Sequence, residues 1–166
     1  DHVGKNVYVH PSENIETILH NFSGKKFQLD FNNSNAWSHD IIIDSGAIII
    51  NKDDPCTLPK ACKNSTEIQG MKNCHIRDAM AVCTFLSWLD QKVNDGKMMD
   101  EGVLSDKLDS HRENLDLFKG ISFGTISAAG KNAAMCHYSH KNQDIPSKLE
   151  MNSIYLVDSG GQYLDG

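Results

Sequence analysis

The apolar positions of the first 58 residues follow two spacings in turn. A short helix after Pro11 is predicted by apolar side chains three or four residues apart: Ile15, Ile18, Leu19 and Phe22. Residues 27–31 alternate apolar and polar positions, as a half-buried strand does. Two more apolar runs, 41–43 and 47–50, are bounded by turn-forming sequences. This alternation predicts the end of an α/β domain over residues 1–57, with residues 53–60 as the candidate linker.

The clearest periodic pattern begins at Asn64. Asn64 and Glu67 form a capping-box sequence at the start of a helix. Apolar side chains then recur every three or four residues up to Val93, which predicts one amphipathic helix of about seven turns. The sequence 94–96, Asn-Asp-Gly, is expected to end it. His75 falls on the apolar face, so we predict a packed histidine there rather than a ligand.

A shorter helix is predicted next, beginning at Asp100 or Ser105 and fading near Arg112. From Ile121 onward the pattern changes to strands separated by turns. The predicted strands are residues 122–128, 135–138, 153–158 and 162–164, the last as a return strand after a tight turn at 159–161. Helices followed by a mostly antiparallel sheet indicate an α+β arrangement for residues 58–166.

Composition excludes several classes of partner. The net charge is −6 and the basic residues are scattered, which argues against binding to nucleic acid or to an anionic membrane surface. No apolar stretch approaches the roughly 20 residues that span a bilayer. The five cysteines form no Cys-x-x-Cys pair, which favours a reducing, cytoplasmic location. The chain starts at Asp1 and stops at Gly166 after an apolar run, so we expect an internal piece of a longer protein.

Asp158 is the first candidate for chemistry. It follows an apolar run and precedes Ser159-Gly160-Gly161, so its carboxylate leaves the core where the backbone turns. Hard divalent cations such as Mn²⁺ and Mg²⁺ prefer oxygen ligands of this kind. An Asx cap on the turn amides is the more common role of such an aspartate, and Asp44-Ser45-Gly46 repeats the pattern. Spacing alone leaves both roles open.

His137 is the second candidate. It lies in an apolar segment 21 residues before Asp158, and two strands joined by such a loop could bring both side chains to one cleft. An imidazole beside a metal site can donate a hydrogen bond to a developing oxyanion. A strand-end histidine bound to a carbonyl is the more common alternative. The sequence contains no phosphate-binding glycine loop, His-Glu-x-x-His zinc helix or serine-hydrolase elbow.

Six segments, in this order, resemble the X-prolyl aminopeptidases (aminopeptidase P), above all the large cytosolic form. They are residues 58–64 (LPKACKN), 67–79 (EIQGMKNCHIRDA), 85–89 (FLSWL), 122–127 (SFGTIS), 137–138 (HY) and 155–166 (YLVDSGGQYLDG). The last segment is the most specific. Together the segments span residues 58–166, whereas residues 1–57 fit the end of the creatinase-like domain that precedes the catalytic one.

The resemblance implies the first half of a pita-bread metallopeptidase domain. It further implies two divalent metal ions, usually Mn²⁺, bridged by a hydroxide that attacks the carbonyl before a penultimate proline. Asp158 matches the family's first metal-binding aspartate, and His137 matches the histidine that steadies the substrate carbonyl or its tetrahedral intermediate. Peptides with proline in second position are the expected substrates. A homodimer is expected because the family is often dimeric.

One departure from the family pattern concerns the remaining metal ligands. The family has a second aspartate, a histidine and two glutamates further on, and this chain stops at Gly166 before all four. Because one carboxylate cannot hold two divalent ions, we expect these residues alone to be inactive. Two alternatives remain: a metal-free relative that binds peptides or proteins, and a sister hydrolase such as a prolidase or creatinase. The retained Asp158 and His137 favour the enzyme.

Overall fold

The computed structural model describes residues 4–166 and divides into two compact units, unit 1 up to Lys63 and unit 2 from Asn64 to Gly166. The boundary between the two units therefore lies six residues after the one expected between residues 57 and 58. The candidate linker 53–60 is partly helical. In the described range 4–166, no helix combines the length and the apolarity needed to cross a membrane.

Unit 1 is built on two parallel strands joined by a helix. Its elements are a 3₁₀ turn (Ser12–Asn14), α1 (Ile15–His20), β1 (Lys26–Leu29), α2 (Ala36–Asp44), β2 (Ile48–Asn51) and α3 (Thr57–Ala61). β1 and β2 pair in parallel along their whole length, and a parallel pair requires a crossover such as α2. The buried core side chains are Leu19, Leu29, Ile41, Ile42 and Ala47.

The apolar run 41–43 lies within α2, although its sequence fits a buried strand or a helix equally well. The Asn35 side chain favours the helix, because its oxygen accepts a hydrogen bond from the Ser38 backbone amide at 2.8 Å and caps the first turn. Asp44 is therefore the exposed last residue of a helix. The Asp-Ser-Gly pattern that it shares with Asp158 occurs here in a different structural setting.

Unit 2 begins with two helices and continues with short antiparallel strands. Its elements are α4 (Ser65–Asn94), α5 (Glu101–Glu113), β3 (Phe118–Ile121), β4 (Ile126–Ala129), β5 (Tyr155–Asp158) and β6 (Gly161–Tyr163), with 3₁₀ turns at Gly130–Ala134 and His140–Asn142. β4 pairs with β5, and β3 pairs with β6. The side chains of Tyr155 and Val157 pack against the buried cluster of Phe85, Leu104 and Leu108, so the helices cover one face of β5.

The long helix α4 confirms the prediction made from its cap and its periodicity. The Asn64 side chain accepts a hydrogen bond from the Glu67 amide at 2.9 Å, and the Glu67 carboxylate accepts one from the Asn64 amide at 2.8 Å. The helix extends over 30 residues and ends at Asn94, as the Asn-Asp-Gly sequence indicates.

The buried face of α4 differs from the predicted one. Its buried residues are Gly70, Cys74, Ala81 and Phe85. His75, predicted to be packed in the core, is exposed, and its Nδ1 lies 2.8 Å from the Met71 carbonyl oxygen. Small residues mark the buried stripe because another part of unit 2 approaches closely: a Cβ on Gly70 would lie 2.1 Å from the Asp165 carbonyl oxygen.

The predicted strands need three corrections. Residues 135–138 form a turn rather than a strand, and the strand predicted at 122–128 begins only at Ile126. β6 is not the return strand of a hairpin with β5, because it pairs with β3 instead. Local alternation of apolar residues does not specify which strands pair, since that choice depends on contacts between residues far apart in sequence.

Candidate active site

Asp158 is the last residue of β5 and lies on the face opposite the core. Successive side chains of a strand point to opposite faces, so Leu156 and Asp158 are exposed while Tyr155 and Val157 pack inward. In the antiparallel register Asp158 is opposite Ile126 of β4. Within residues 4–166 no hydrogen bond joins its carboxylate to the amides of the following turn. The carboxylate is thus free to reach a ligand on the open face.

His137 is exposed and lies on a turn with a left-handed backbone, φ +53°. The chain reaches it from Ala129, which pairs with Tyr155 at the end of the β4–β5 ladder opposite to Asp158. The expectation that His137 lies on a strand is wrong, because residues 135–137 form a turn. In the described part of the chain no hydrogen bond joins the two side chains. Their catalytic and metal-binding roles remain predictions.

A buried carboxylate that sequence reasoning did not single out is bonded to β4 and to Tyr138, the residue after His137. Glu101, at the start of α5, is 0% exposed. Its Oε1 accepts hydrogen bonds from the Ala129 amide at 2.7 Å and from Asn132 Nδ2 at 2.9 Å. Its Oε2 accepts from the Tyr138 hydroxyl at 2.7 Å and from the Ser147 amide at 3.1 Å. We call these five residues the Glu101 network.

The Glu101 network keeps its carboxylate charged. Burial is the largest influence and would raise the pKa of Glu101, but the hydrogen bonds from its four partners outweigh it, so the pKa lies below the ordinary value. Burial, followed by the hydrogen bond to Glu101, raises the pKa of Tyr138 to about 12. Tyr138 is therefore a neutral donor to an ionised acceptor at physiological pH, which is the stronger class of hydrogen bond.

A second polar cluster ties α4, α5 and β6 together. Arg112 is 1% exposed, and its Nε and Nη2 bond to the two carboxylate oxygens of Asp78 at 2.7 and 3.1 Å. The Tyr163 hydroxyl donates to Asp78 at 2.8 Å, and Arg77 lies over the Tyr163 ring while it pairs with Asp165. This cluster fixes the chain that follows Asp158 onto the two helices.

Stability is expected to fall steeply in acid because of these carboxylates. Hydrogen bonds from Arg112, the largest influence, hold the pKa of Asp78 below its usual value, and the pKa of Glu101 is also lowered. A lowered folded-state pKa gives stabilisation that is present above the unfolded value of about 4 and is lost as pH falls through the folded value. Urea unfolding at pH 7, 5 and 3 should therefore show a lower free energy of unfolding only at the acid end. Equal values at pH 7 and pH 3 would contradict this.

The described residues do not complete a metal centre by themselves. In residues 4–166 no group of three or more His, Cys, Asp or Glu side chains is arranged to hold a metal ion. Asp158 presents the right donor for a hard divalent cation, an exposed carboxylate oxygen, but as a single ligand. Two ions would need further ligands from other residues.

Two sequence relatives of this chain are named as Xaa-Pro aminopeptidases. Residues 69–166 match metallopeptidase family M24. The chain is 46% identical over 112 residues to Xaa-Pro aminopeptidase ApepP of Drosophila melanogaster, covering 68% of this chain and 18% of that protein. It is 37% identical over 174 aligned residues to a probable Xaa-Pro aminopeptidase P of Talaromyces marneffei, covering 99% of this chain and 26% of that protein. The chain thus spans only about a fifth to a quarter of these relatives.

Solved structures agree with the sequence comparison. The X-prolyl aminopeptidase of Caenorhabditis elegans, described as a cytosolic enzyme with a di-nuclear active site, superposes with a TM-score of 0.84 at 32% identity, over 97% of this chain and 27% of that chain. X-Pro aminopeptidase from Thermotoga maritima shares the fold, with a TM-score of 0.65 at 17% identity. These similarities confirm the resemblance to X-prolyl aminopeptidases and the predicted mixed α/β chain of pita-bread type. Because the family match covers more than half of the sequence, this chain belongs to metallopeptidase family M24.

Proposed function

We propose that the protein containing this chain is a metalloaminopeptidase that releases the N-terminal residue from peptides with proline in second position. Membership of family M24 and the similarity to proteins named Xaa-Pro aminopeptidase support this. The observation that carries the proposal is Asp158, an exposed carboxylate at the end of β5 inside the matched range. A metal-free binding module would have no chemical need for such a group.

Asp158 would supply one carboxylate to a centre of two divalent ions, for which we propose Mn²⁺. When bound, such ions polarise a carbonyl and lower the pKa of a bound water. His137 would donate a hydrogen bond to the substrate carbonyl oxygen as negative charge develops on it. Its exposed position on a turn leaves the imidazole accessible to a peptide. A cytoplasmic location and a homodimer complete the proposal.

The substrate proposal is tested with matched peptides and the full-length protein. We expect the Mn²⁺-loaded protein to release Xaa from Xaa-Pro-Xaa, to leave Xaa-Ala-Xaa intact, and to lose this activity when the metal is chelated. Mass spectrometry of the products gives the result directly. Cleavage of the Xaa-Pro dipeptide alone would instead favour a prolidase, and equal cleavage of both tripeptides would contradict the proline requirement.

The role of His137 predicts a loss of turnover without a loss of metal. His137→Ala should lower kcat by about 100-fold to 1000-fold, as removal of one oxyanion donor does in other enzymes. His75→Ala is the matched control, because His75 is also exposed but lies on α4. Steady-state kinetics and metal analysis of both variants check the prediction. Equal kcat values for the two variants would rule out the assigned role.

A further inference from the structure

The Glu101 network gathers groups from several parts of unit 2 onto one carboxylate. Ala129 ends β4, and Asn132 lies in the 3₁₀ turn after it. Tyr138 directly follows the turn at 135–137, and Ser147 lies between the 3₁₀ turn His140–Asn142 and β5. Glu101 itself is held by α5, and its own amide donates to the Ser147 carbonyl at 3.0 Å. Residues up to 46 positions away in sequence are thus bonded to the buried Glu101 carboxylate.

Two of the donors flank His137. Asn132 lies five residues before it and Tyr138 directly after it, so both ends of the turn that carries the imidazole are attached to the same carboxylate. The Asn132 Nδ2 also lies 2.9 Å from the Tyr138 hydroxyl, which links the two flanks to each other. This short segment therefore has its position set by side-chain bonds, since it belongs to no strand.

The backbone of His137 gives an independent reason to expect such an anchor. Its φ of +53° is a left-handed conformation that is strained for a residue with a Cβ. Residues of this kind persist where the surrounding structure holds them, and they concentrate at functional sites. The neighbouring bonds to Glu101 supply that constraint, while the His137 side chain itself stays exposed.

The same carboxylate also holds the strand pair that ends at Asp158. The Ala129 amide bonds to Glu101, and Ala129 pairs with Tyr155 in the ladder that continues to Ile126 opposite Asp158. A carboxylate on α5 is therefore the common point of attachment for the His137 turn and for the ladder bearing Asp158. A change in either attachment would shift one group relative to the other.

We propose that Glu101 and Tyr138 are positioning residues for the peptidase reaction, holding the His137 turn at a fixed place relative to the β4–β5 ladder and Asp158. This inference rests on the proposed function. Both residues act through the turn and not by contact with the substrate. Displacements of about 1 Å in such arrangements are enough to cost 100-fold in rate.

The test uses Tyr138→Phe in the full-length protein, with Tyr155→Phe as the matched control. Both hydroxyls are bonded inside unit 2, Tyr138 to Glu101 and Tyr155 to the buried Ser127 at 2.9 Å, and the pKa of each is raised to about 12 by burial. The two substitutions therefore remove the same hydroxyl from hydrogen-bonded positions of one unit, next to Glu101 in the first case and to Ser127 in the second. Only Tyr138 is attached to the His137 turn.

Tyr138→Phe is expected to lower kcat for an Xaa-Pro peptide at least 10-fold with KM within about 3-fold and bound metal unchanged. Hydrogen exchange of the amides at 135–139 should accelerate in this variant and not in Tyr155→Phe. Equal kcat in the two variants, or unchanged exchange at 135–139, would overturn the inference while leaving the proposed function intact. A wild-type protein that cleaves no Xaa-Pro peptide would contradict the proposed function itself, and the positioning role with it.

Discussion

Replacing Asp158 with asparagine is expected to lower kcat/KM for an Xaa-Pro peptide by about 1000-fold and to reduce the bound metal. Asparagine keeps the size of the side chain and one oxygen but removes the negative charge that a divalent ion requires of this ligand. A loss of about 4 kcal/mol of transition-state stabilisation corresponds to a factor of about 1000. Because Asp158 is exposed, the fold should tolerate the change.

Asp44→Asn is the matched control for this substitution. Asp44 precedes the same Ser-Gly pair and is exposed as well, but it ends the helix α2 in unit 1. Kinetics with added Mn²⁺ and metal analysis by mass spectrometry should separate the two variants. An Asp158→Asn protein that keeps the metal content and rate of Asp44→Asn would show that Asp158 is not a ligand.

Replacing Asp78 with alanine is expected to destabilise the protein by about 3–5 kcal/mol. The substitution leaves the Arg112 guanidinium, which is 1% exposed, without its carboxylate partner. It also removes the acceptor of the Tyr163 hydroxyl. Arg112 Nη1 has no partner among the described residues, so the bonds to Asp78 supply most of its compensation. Urea unfolding followed by circular dichroism measures the effect.

Two comparisons make the Asp78 prediction specific. Asp90→Ala removes an exposed carboxylate from the same helix and should change the free energy of unfolding by less than about 1 kcal/mol. The double substitution Asp78→Leu with Arg112→Met removes both charges and should recover much of the loss. It should also reduce the acid dependence of stability, leaving the part that Glu101 contributes. An Asp78→Ala protein as stable as Asp90→Ala would contradict the dependence of the buried Arg112 on Asp78.

The elements that the sequence predicts correctly are those specified by neighbouring residues. The capping box of Asn64 and Glu67 and the Asn-Asp-Gly end determine the bounds of α4 through bonds within a few positions. Asp100 likewise caps α5 by accepting a hydrogen bond from the Val103 amide at 2.9 Å. Such signals are visible in one sequence because the capping residue and the amide that it binds lie within one helical turn.

The elements that the sequence does not predict depend on distant partners. Residues 135–138 look like a strand by composition, yet Tyr138 bonds to Glu101, 37 residues earlier, and the segment turns. Glu101 itself reads as an ordinary acidic residue in the first turn of a helix, a position that favours exposed carboxylates. Its burial follows from the convergence of four donors, which no local pattern reveals. The metal-binding role proposed for Asp158 rests on the family resemblance, since its spacing also fits a turn cap.

Diffraction from crystals of the full-length protein grown with Mn²⁺, recorded at the manganese absorption edge, tests the central claim most directly. The proposed function predicts two anomalous peaks close together, with the Asp158 carboxylate bonded to the metal and His137 facing the space beside it. Manganese bound away from Asp158 in a protein that cleaves Xaa-Pro peptides would contradict the assignment of this residue and the site built on it.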